Sequence, residues 1–215
     1  MSLLQELASA VEKGKKDIVM VKTQEACDAK LSPAEILNDG LIAGMMALGE
    51  RWKRNEVFVP EVLIAARALK GGLEVLTPIL QAAGVKPIGK AIICTVKGDL
   101  HDIGKNLVAM MIVGSGLEVV DLGVDVSNEK IIAAIAEHQP DLLLLSALLT
   151  TTMPQQKEVI DALVEAGVRD SVKIMIGGAP VTQAYADEIG ADAFTPDAVS
   201  AAEVAKAFVL KKKGL

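Results

Sequence analysis

The spacing of hydrophobic residues changes near the middle of the chain. Over residues 1–83, apolar side chains recur every three or four positions, as in helices that bury one face. The clearest stripe comprises Leu37, Leu41, Met45, Leu48 and Trp52. A second stripe runs over 62–80, and the pattern predicts shorter helices at 3–13 and 16–29. Four helices joined by short loops predict a small antiparallel bundle.

Proline marks the start of the two longer helices. Ser32 stands before Pro33 and three residues ahead of Glu35, so we expect a capping box in which the Ser32 side chain begins the third helix. Pro60 has the same place at the start of the fourth helix.

A segment rich in glycine and proline, 84–89, is predicted to link the helical cap domain (1–83) to a second domain (90–215). In the second domain, short apolar runs alternate with helical spacing. The runs predict strands at 91–96, 118–122, 141–146, 172–176 and 192–195. Helices are predicted at 103–115, 127–138, 154–166, 179–189 and 196–211. This alternation predicts a flavodoxin-like (Rossmann-like) α/β domain, a parallel five-stranded sheet with helices on both faces. Right-handed crossovers favour the strand order 2-1-3-4-5.

Composition narrows the classes of function. The 215 residues include 22 Lys and Arg against 28 Asp and Glu, a formal net charge of −6. This acidic balance, with only three Phe, one Trp and one Tyr, argues against a nucleic-acid partner. No apolar run reaches the roughly 18 residues of a membrane span, so no membrane partner is expected. Cys27 and Cys94 form no CxxC pair, and we expect reduced thiols in a cytoplasmic protein.

The residues whose side chains could bind a ligand or take part in a reaction follow the first, third and fourth predicted strands. Ligands of a doubly wound sheet bind at the carboxyl ends of the strands, where the strand order reverses. The first loop runs from Lys97 to Asn106, the third from Ser146 to Pro154, and the fourth begins with Gly177. They contain neither a GxGxxG dinucleotide fingerprint nor a P-loop. A phosphoacceptor domain is also excluded, because no Asp follows the third strand and no Lys follows the fifth.

One of the two histidines, His101, lies in the first loop between Asp99 and Asp102. Residues two apart in an extended loop point the same way, so Asp99 is placed to hydrogen-bond one imidazole nitrogen and leave the other for a metal. A single His does not hold zinc, and the neighbouring loops offer no further nitrogen or sulfur ligand. One His suits a metal held in a macrocycle, and the scarcity of aromatic residues argues against haem.

The pattern Asp99-x-His101-x-x-Gly104, followed by Ser146-x-Leu148 and paired glycines, resembles the signature of cobalamin-binding domains. The resemblance implies that cobalamin or a related corrinoid binds base-off, with its nucleotide tail in the α/β domain and His101 as the lower axial ligand of cobalt. By analogy with methionine synthase, Thr152 would complete a relay with Asp99 and His101. Glycines would let the tail pass close to the backbone. The cofactor-binding residues that the resemblance implies here are Asp99, His101, Asp102, Ile103, Gly104, Ser146, Leu148, Thr150, Thr152, Gly177 and Gly178.

The helical domain also resembles a domain of a known protein family. It is similar to the cap of methyl-carrying corrinoid proteins, in which a four-helix bundle shields the upper face of the cobalt. The segments that carry this likeness are 40–52, 57–62 and 65–69. Phe58 is the residue that the resemblance favours for contact with the upper face of the corrin. In the second domain, the segments 146–154, 177–182 and 190–197 most resemble the corrinoid proteins of methylamine- and dimethylamine-type methyltransferase systems.

The resemblance implies a carrier subunit rather than a free-standing enzyme. A substrate-specific methyltransferase would pass a methyl group to the cobalt, a second methyltransferase would remove it, and a reductive activation protein would be a further partner. Two other cobalamin functions stay open: a sensor or regulator, and the cobalamin subunit of an adenosylcobalamin mutase. A flavodoxin-type module without a corrin is the remaining alternative.

Overall fold

The computed structural model describes residues 1–214, apart from the side chain of residue 81. The chain folds into two compact units. The first comprises Met1–Pro87 together with Gly114–Gly116, and the second comprises the remaining described residues.

The first unit is helical, as predicted. Its α-helices are α1 (Leu3–Glu12), α2 (Lys16–Asp28), α3 (Pro33–Glu35), α4 (Ala43–Lys53) and α5 (Val59–Ala82). A π-helical segment, Ile36–Ile42, joins α3 to α4. The third predicted helix therefore consists of three consecutive helical segments. Its stripe packs inward: Leu41, Met45 and Leu48 are buried, whereas Trp52 at its end is only half-buried.

The start of the third helix differs from the prediction. The Ser32 side chain makes no capping hydrogen bond, so the expected capping box is wrong. Pro33 begins the helix with its fixed φ, and the backbone carbonyl of Ser32 accepts the first helical bond from Ile36 N–H at 3.0 Å. A capping box forms instead at α1, where Ser2 and Gln5 exchange hydrogen bonds.

The second unit is the predicted α/β domain. Its strands are β1 (Lys90–Thr95), β2 (Glu118–Asp121), β3 (Leu142–Ser146), β4 (Lys173–Gly177) and β5 (Ala193–Phe194). Its helices are α6 (Ile103–Gly114), α7 (Asn128–His138), α8 (Pro154–Glu165), α9 (Gln183–Ile189) and α10 (Ala198–Lys213), with a 3₁₀ turn at Arg169–Ser171. All strand pairs are parallel, and the order β2-β1-β3-β4-β5 confirms the flavodoxin-like prediction.

The central strands are apolar because helices cover both sheet faces. Residues 91–95 of β1 and 142–145 of β3 are buried. Cys94 belongs to this core, where burial raises the pKa of its thiol to about 12. No helix within residues 1–214 has the length and hydrophobicity that a membrane span requires.

Side-chain caps decide where several helices of this domain begin. Ser127 caps α7 as predicted, accepting a hydrogen bond from Lys130 N–H. The helix predicted from residue 179 begins later, at Gln183, because Thr182 accepts from Tyr185 N–H at 3.2 Å. The residues before it form a turn that leads out of β4.

Candidate functional site

The sheet register aligns the loops that the sequence analysis singled out. Thr95 pairs with Ser146 across β1 and β3, and Ser146 pairs with Gly177 across β3 and β4. These three residues end their strands and lie side by side at one edge of the sheet. The strand order reverses between β1 and β3, so this is the edge at which a doubly wound fold binds ligands.

The hydrogen bond predicted between Asp99 and His101 is present. The imidazole Nδ1 lies 2.7 Å from Oδ1 of Asp99, and the same oxygen accepts the His101 backbone N–H at 3.0 Å. Asp99 is 1% exposed, whereas half of the His101 side chain is exposed. The imidazole is thus anchored through one nitrogen on a buried carboxylate while its other edge faces outward.

The second carboxylate oxygen of Asp99 ties this loop to the one after β3. Oδ2 accepts the Thr152 hydroxyl at 2.6 Å and the Leu148 backbone N–H at 2.8 Å. Thr152 is itself buried and also lies 3.1 Å from the carbonyl of Leu149. The three side chains that the resemblance groups together, Thr152, Asp99 and His101, therefore form one hydrogen-bonded row.

These contacts determine the charge of Asp99. Burial by itself would raise the pKa of its carboxyl group. Hydrogen bonds from the Thr152 hydroxyl, from the backbone of His101 and Leu148, and from the imidazole outweigh it and hold the pKa below its usual range. An ionised carboxylate only accepts, so Nδ1 must carry the proton of the neutral ring. The lone pair then lies on Nε2, which has no hydrogen-bond partner in the described part of the chain. That is the tautomer of a metal-ligating histidine.

Two residues that the sequence analysis missed hold the loop from beneath. Thr95, fully buried at the end of β1, donates its hydroxyl proton to the carbonyl of His101 at 2.8 Å. Asp125 accepts from Gly98 N–H at 2.7 Å and donates its own N–H to the carbonyl of Asp99 at 3.0 Å. For Thr95 the sequence offers one signal, a polar residue at the end of an apolar strand, and that signal does not identify the hydrogen-bond acceptor.

Large apolar side chains stand exposed in the same two loops. The exposed fraction is 71% for Leu100, 73% for Ile103, 40% for Leu148 and 42% for Leu149. Exposed aliphatic residues on two hydrogen-bonded loops form an apolar surface of the kind that marks binding sites. Leu100 and Leu149 were not predicted, although apolar residues inside a binding loop are a readable signal.

The three glycines predicted to bind the cofactor differ in whether the protein's own structure requires a glycine there. Gly178 has φ +133°, and a Cβ there would lie 1.8 Å from the carbonyl oxygen of Ala147, so the protein's own backbone requires glycine. A Cβ on Gly104 would meet nothing within 4 Å. At Gly177 the nearest atom would be the Thr195 carbonyl oxygen at 3.7 Å, an ordinary contact. Space beside Gly104 and Gly177 is therefore open, while Gly178 shapes the turn after β4.

The remaining predicted residues occupy several places. Asp102 stands directly before α6, and its carboxylate accepts Asn106 Nδ2–H at 3.1 Å. Ser146 is half-buried at the end of β3, and Thr150 is exposed in the loop that follows. Phe58 lies in the first unit, 63% exposed, just before α5, and its backbone N–H donates to Glu61 at 3.1 Å.

Comparisons with known proteins identify the family of the chain. The profile of the B12 binding domain family matches residues 89–205, and a second B12 binding domain profile matches residues 3–77. A corrinoid protein from Desulfitobacterium hafniense is 43% identical over 208 residues, covering 95% of this chain and 96% of the relative. Dimethylamine corrinoid protein 1 of Methanosarcina acetivorans is 44% identical over 205 residues, covering 95% and 96%.

The fold of the chain is also similar to that of a solved structure. The structure of the methanol:cobalamin methyltransferase complex MtaBC from Methanosarcina barkeri contains a chain that superposes with a TM-score of 0.87. The two sequences are 32% identical, and the match covers 96% of this chain and 79% of that one. Both units of the chain match corrinoid-binding profiles, and the relatives match over nearly their whole length. This chain therefore belongs to the B12-binding corrinoid proteins.

Proposed function

We propose that this protein carries a methyl group on a bound corrinoid between two methyltransferases, with His101 as the lower axial ligand of cobalt. Its similarity to a dimethylamine corrinoid protein and to a chain of a methanol:cobalamin methyltransferase complex supports a methyl carrier over a sensor or a mutase subunit. When bound, the cobalt supplies the nucleophile that accepts and later yields the methyl group.

The observation that carries the proposal is the anchored imidazole of His101. Its Nδ1 is held on the buried carboxylate of Asp99 at 2.7 Å, and the outward edge of the ring presents the Nε2 lone pair. Asp99 in turn is fixed by Thr152 and by the Leu148 backbone. A ligand oriented in this way keeps its geometry without rearrangement when a metal arrives.

The surroundings of His101 fit a corrinoid. A macrocycle brings four ring nitrogens with it, so the protein needs to supply one axial nitrogen. The exposed side chains of Leu100, Ile103, Leu148 and Leu149 suit its apolar lower face. The open space beside Gly104 leaves room for the nucleotide tail, and we assign polar contacts with that tail to Ser146 and Thr150.

His101, Asp99 and Thr152 also determine where a proton can reside when no metal is bound. When the imidazole is not coordinated, the Nε2 lone pair is free to accept a hydrogen bond or a proton. Thr152 and the backbone N–H groups keep Asp99 ionised, so the proton resides on the imidazole rather than on the carboxyl group. Release of His101 from the cobalt would leave Nε2 free to take up a proton.

The partners in this proposal are a substrate-specific methyltransferase, a second methyltransferase that accepts the methyl group, and a reductive activation protein. Phe58, exposed before α5, is proposed to contact the upper face of the corrin. The free thiols Cys27 and Cys94 suit a reducing cytoplasm, where we place the protein.

The test is an absorption spectrum recorded after anaerobic incubation with hydroxocobalamin and removal of free ligand. We expect stoichiometric retention and a base-off, histidine-ligated spectrum. His101→Ala should lose the histidine ligation yet keep some corrinoid, whereas His138→Ala, which changes the histidine that ends α7, should match the wild type. Failure of the wild type to retain corrinoid would overturn the proposal.

Methyl transfer is tested on the same loaded protein. After reduction and treatment with methyl iodide, the protein-bound corrinoid should hold about one methyl group per chain and lose it to a methyl-accepting methyltransferase. Retention of adenosylcobalamin together with no methyl uptake would instead assign the protein to the mutase or sensor class.

A further inference from the structure

A buried lysine, Lys105, lies four positions after His101 and has no role in the function proposed above. Lys105, near the start of α6, is 3% exposed. Its ammonium donates to Asp121 Oδ2 at 2.5 Å and to Asn106 Oδ1 at 2.7 Å. Lysine is rarely buried to this degree unless it is paired. Asp121 ends β2, so the pair connects the first turn of α6 to a neighbouring strand.

One side of this pair leads to the residue after His101. Asn106 accepts from Lys105 through its amide oxygen and donates through Nδ2 to Asp102 Oδ2 at 3.1 Å. The Asn106 backbone N–H also donates to the Asp102 carbonyl at 2.7 Å. Asp102 is bonded directly to His101 along the chain, so Lys105 holds the carboxyl side of the histidine loop.

The other side leads to the carbonyl of His101 itself. Asp121 Oδ1 accepts Gly123 N–H at 2.9 Å, and the Gly123 carbonyl accepts Thr95 N–H at 3.0 Å. The Thr95 hydroxyl then donates to the His101 carbonyl at 2.8 Å. The two routes close a ring of hydrogen bonds that begins and ends at His101, and Lys105 with Asp121 is its charged link.

We propose that Lys105 is a positioning residue for the cobalt-ligating imidazole, acting through the ring of hydrogen bonds that runs from Lys105 and Asp121 to the peptide bond between His101 and Asp102. This inference rests on the proposed function, because it concerns the ligand that His101 supplies. Asp99 holds the imidazole Nδ1 and the backbone N–H of His101, but it does not hold the peptide bond that follows His101. Lys105 does so from the opposite side of the loop.

The charge of Lys105 explains why an apolar residue would not serve. An ammonium group has three donors, and two of them bind Asp121 and Asn106 simultaneously. Methionine has a similar length but no donor, so Lys105→Met keeps the packing and removes the link. Charge-assisted hydrogen bonds are worth about 1.5–3 kcal/mol, so their loss permits a change of about tenfold or more in a coupled equilibrium.

The experiment measures axial ligation after loading with hydroxocobalamin and reduction to Co(II). In electron paramagnetic resonance, an axial nitrogen splits the cobalt lines, so the spectrum gives the ratio of histidine-ligated to unligated protein per bound cobalt. We expect Lys105→Met to lower this ratio about tenfold or more while corrinoid is retained. Lys157→Met is the matched control, since it breaks a Lys–Asp pair of 2.6 Å to Asp161 that is more than half exposed and lies on α8.

Asp121→Asn is a second test of the contact between Lys105 and Asp121, for use if Lys105→Met folds poorly. It retains the side-chain size and weakens the same link, so it should lower the ratio in the same direction. The double variant should be no worse than Lys105→Met alone, since both changes act on one contact. A wild-type ratio in Asp121→Asn, or in a folded Lys105→Met, would overturn the inference and leave the proposed function intact. A wild-type protein that retains no corrinoid would overturn both.

Discussion

Thr152→Val tests the buried hydrogen bond on which the charge of Asp99 depends. Valine has nearly the same shape as threonine, so the substitution replaces a hydroxyl by a methyl group without leaving a cavity. It removes the 2.6 Å donation to Asp99 Oδ2 and the long 3.3 Å contact in which the hydroxyl accepts Leu149 N–H. Asp99 keeps its other three donors, two from His101 and one from Leu148.

The expected loss follows from the charge of the acceptor. A hydrogen bond to an ionised group contributes about 1.5–3 kcal/mol, so Thr152→Val should lower the free energy of unfolding by about 2 kcal/mol. For a chain of this size that corresponds to a decrease of about 4–8 °C in the melting temperature. Thr152→Ser makes the opposite change, because it keeps the hydroxyl and loses one buried methyl group, worth about 0.8 kcal/mol.

The assay is urea unfolding of the apo-protein at pH 7, followed by circular dichroism. The order of stability decides the question: wild type, then Thr152→Ser, then Thr152→Val. In an Asp99→Ala background the cost of Thr152→Val should largely disappear, because its partner is absent. If Thr152→Val is as stable as the wild type, or more stable than Thr152→Ser, then Thr152 contributes through packing, and its hydrogen bond does not keep Asp99 ionised.

Three further outcomes are expected. Gly178→Ala should lose more than about 3 kcal/mol of stability or yield no folded protein, because its Cβ would overlap the Ala147 carbonyl at 1.8 Å; thermal unfolding checks this. Gly104→Ala should keep or slightly raise the melting temperature, since nothing lies within 4 Å of the new Cβ, but it should retain less hydroxocobalamin in the binding assay. The pKa of Asp99 is lower in the folded protein than in the unfolded chain, so as the pH falls Asp99 is protonated in the unfolded chain first. The stability that Asp99 contributes is therefore present above about pH 4 and is lost below it, and the difference in urea stability between wild type and Asp99→Asn should shrink between pH 7 and pH 3.

The sequence predicted the architecture well because the signals are local. The buried runs of β1 and β3 are continuous in the chain, and the strand order follows from the handedness of short crossovers. Prediction was weaker at helix starts. Ser32 has the residue type of a cap but makes no capping bond, whereas Thr182 shortens α9 through one. Whether a hydroxyl turns toward a backbone N–H depends on torsions that residue type alone does not determine.

The pairing of Asp99 with His101 was predictable, because residues two apart in an extended loop share a direction and the observed distance is 2.7 Å. The resemblance to cobalamin-binding domains added Thr152 to the group. The contacts of Lys105 were not predictable, since Asp121 is sixteen positions away on another strand. The same holds for Thr95, whose acceptor is a backbone carbonyl that carries no residue-specific signal.

By itself, the sequence determined which residue types stand at the carboxyl ends of the strands: a histidine flanked by carboxylates, a set of hydroxyls and paired glycines. Only the tertiary structure decided which of them act together. It buries Asp99, turns four donors toward its carboxylate, and closes a ring of hydrogen bonds around the His101 peptide. The reason is physical: burial and hydrogen-bond partners come from segments distant in the chain, and they set the charge of Asp99 and the direction of the imidazole.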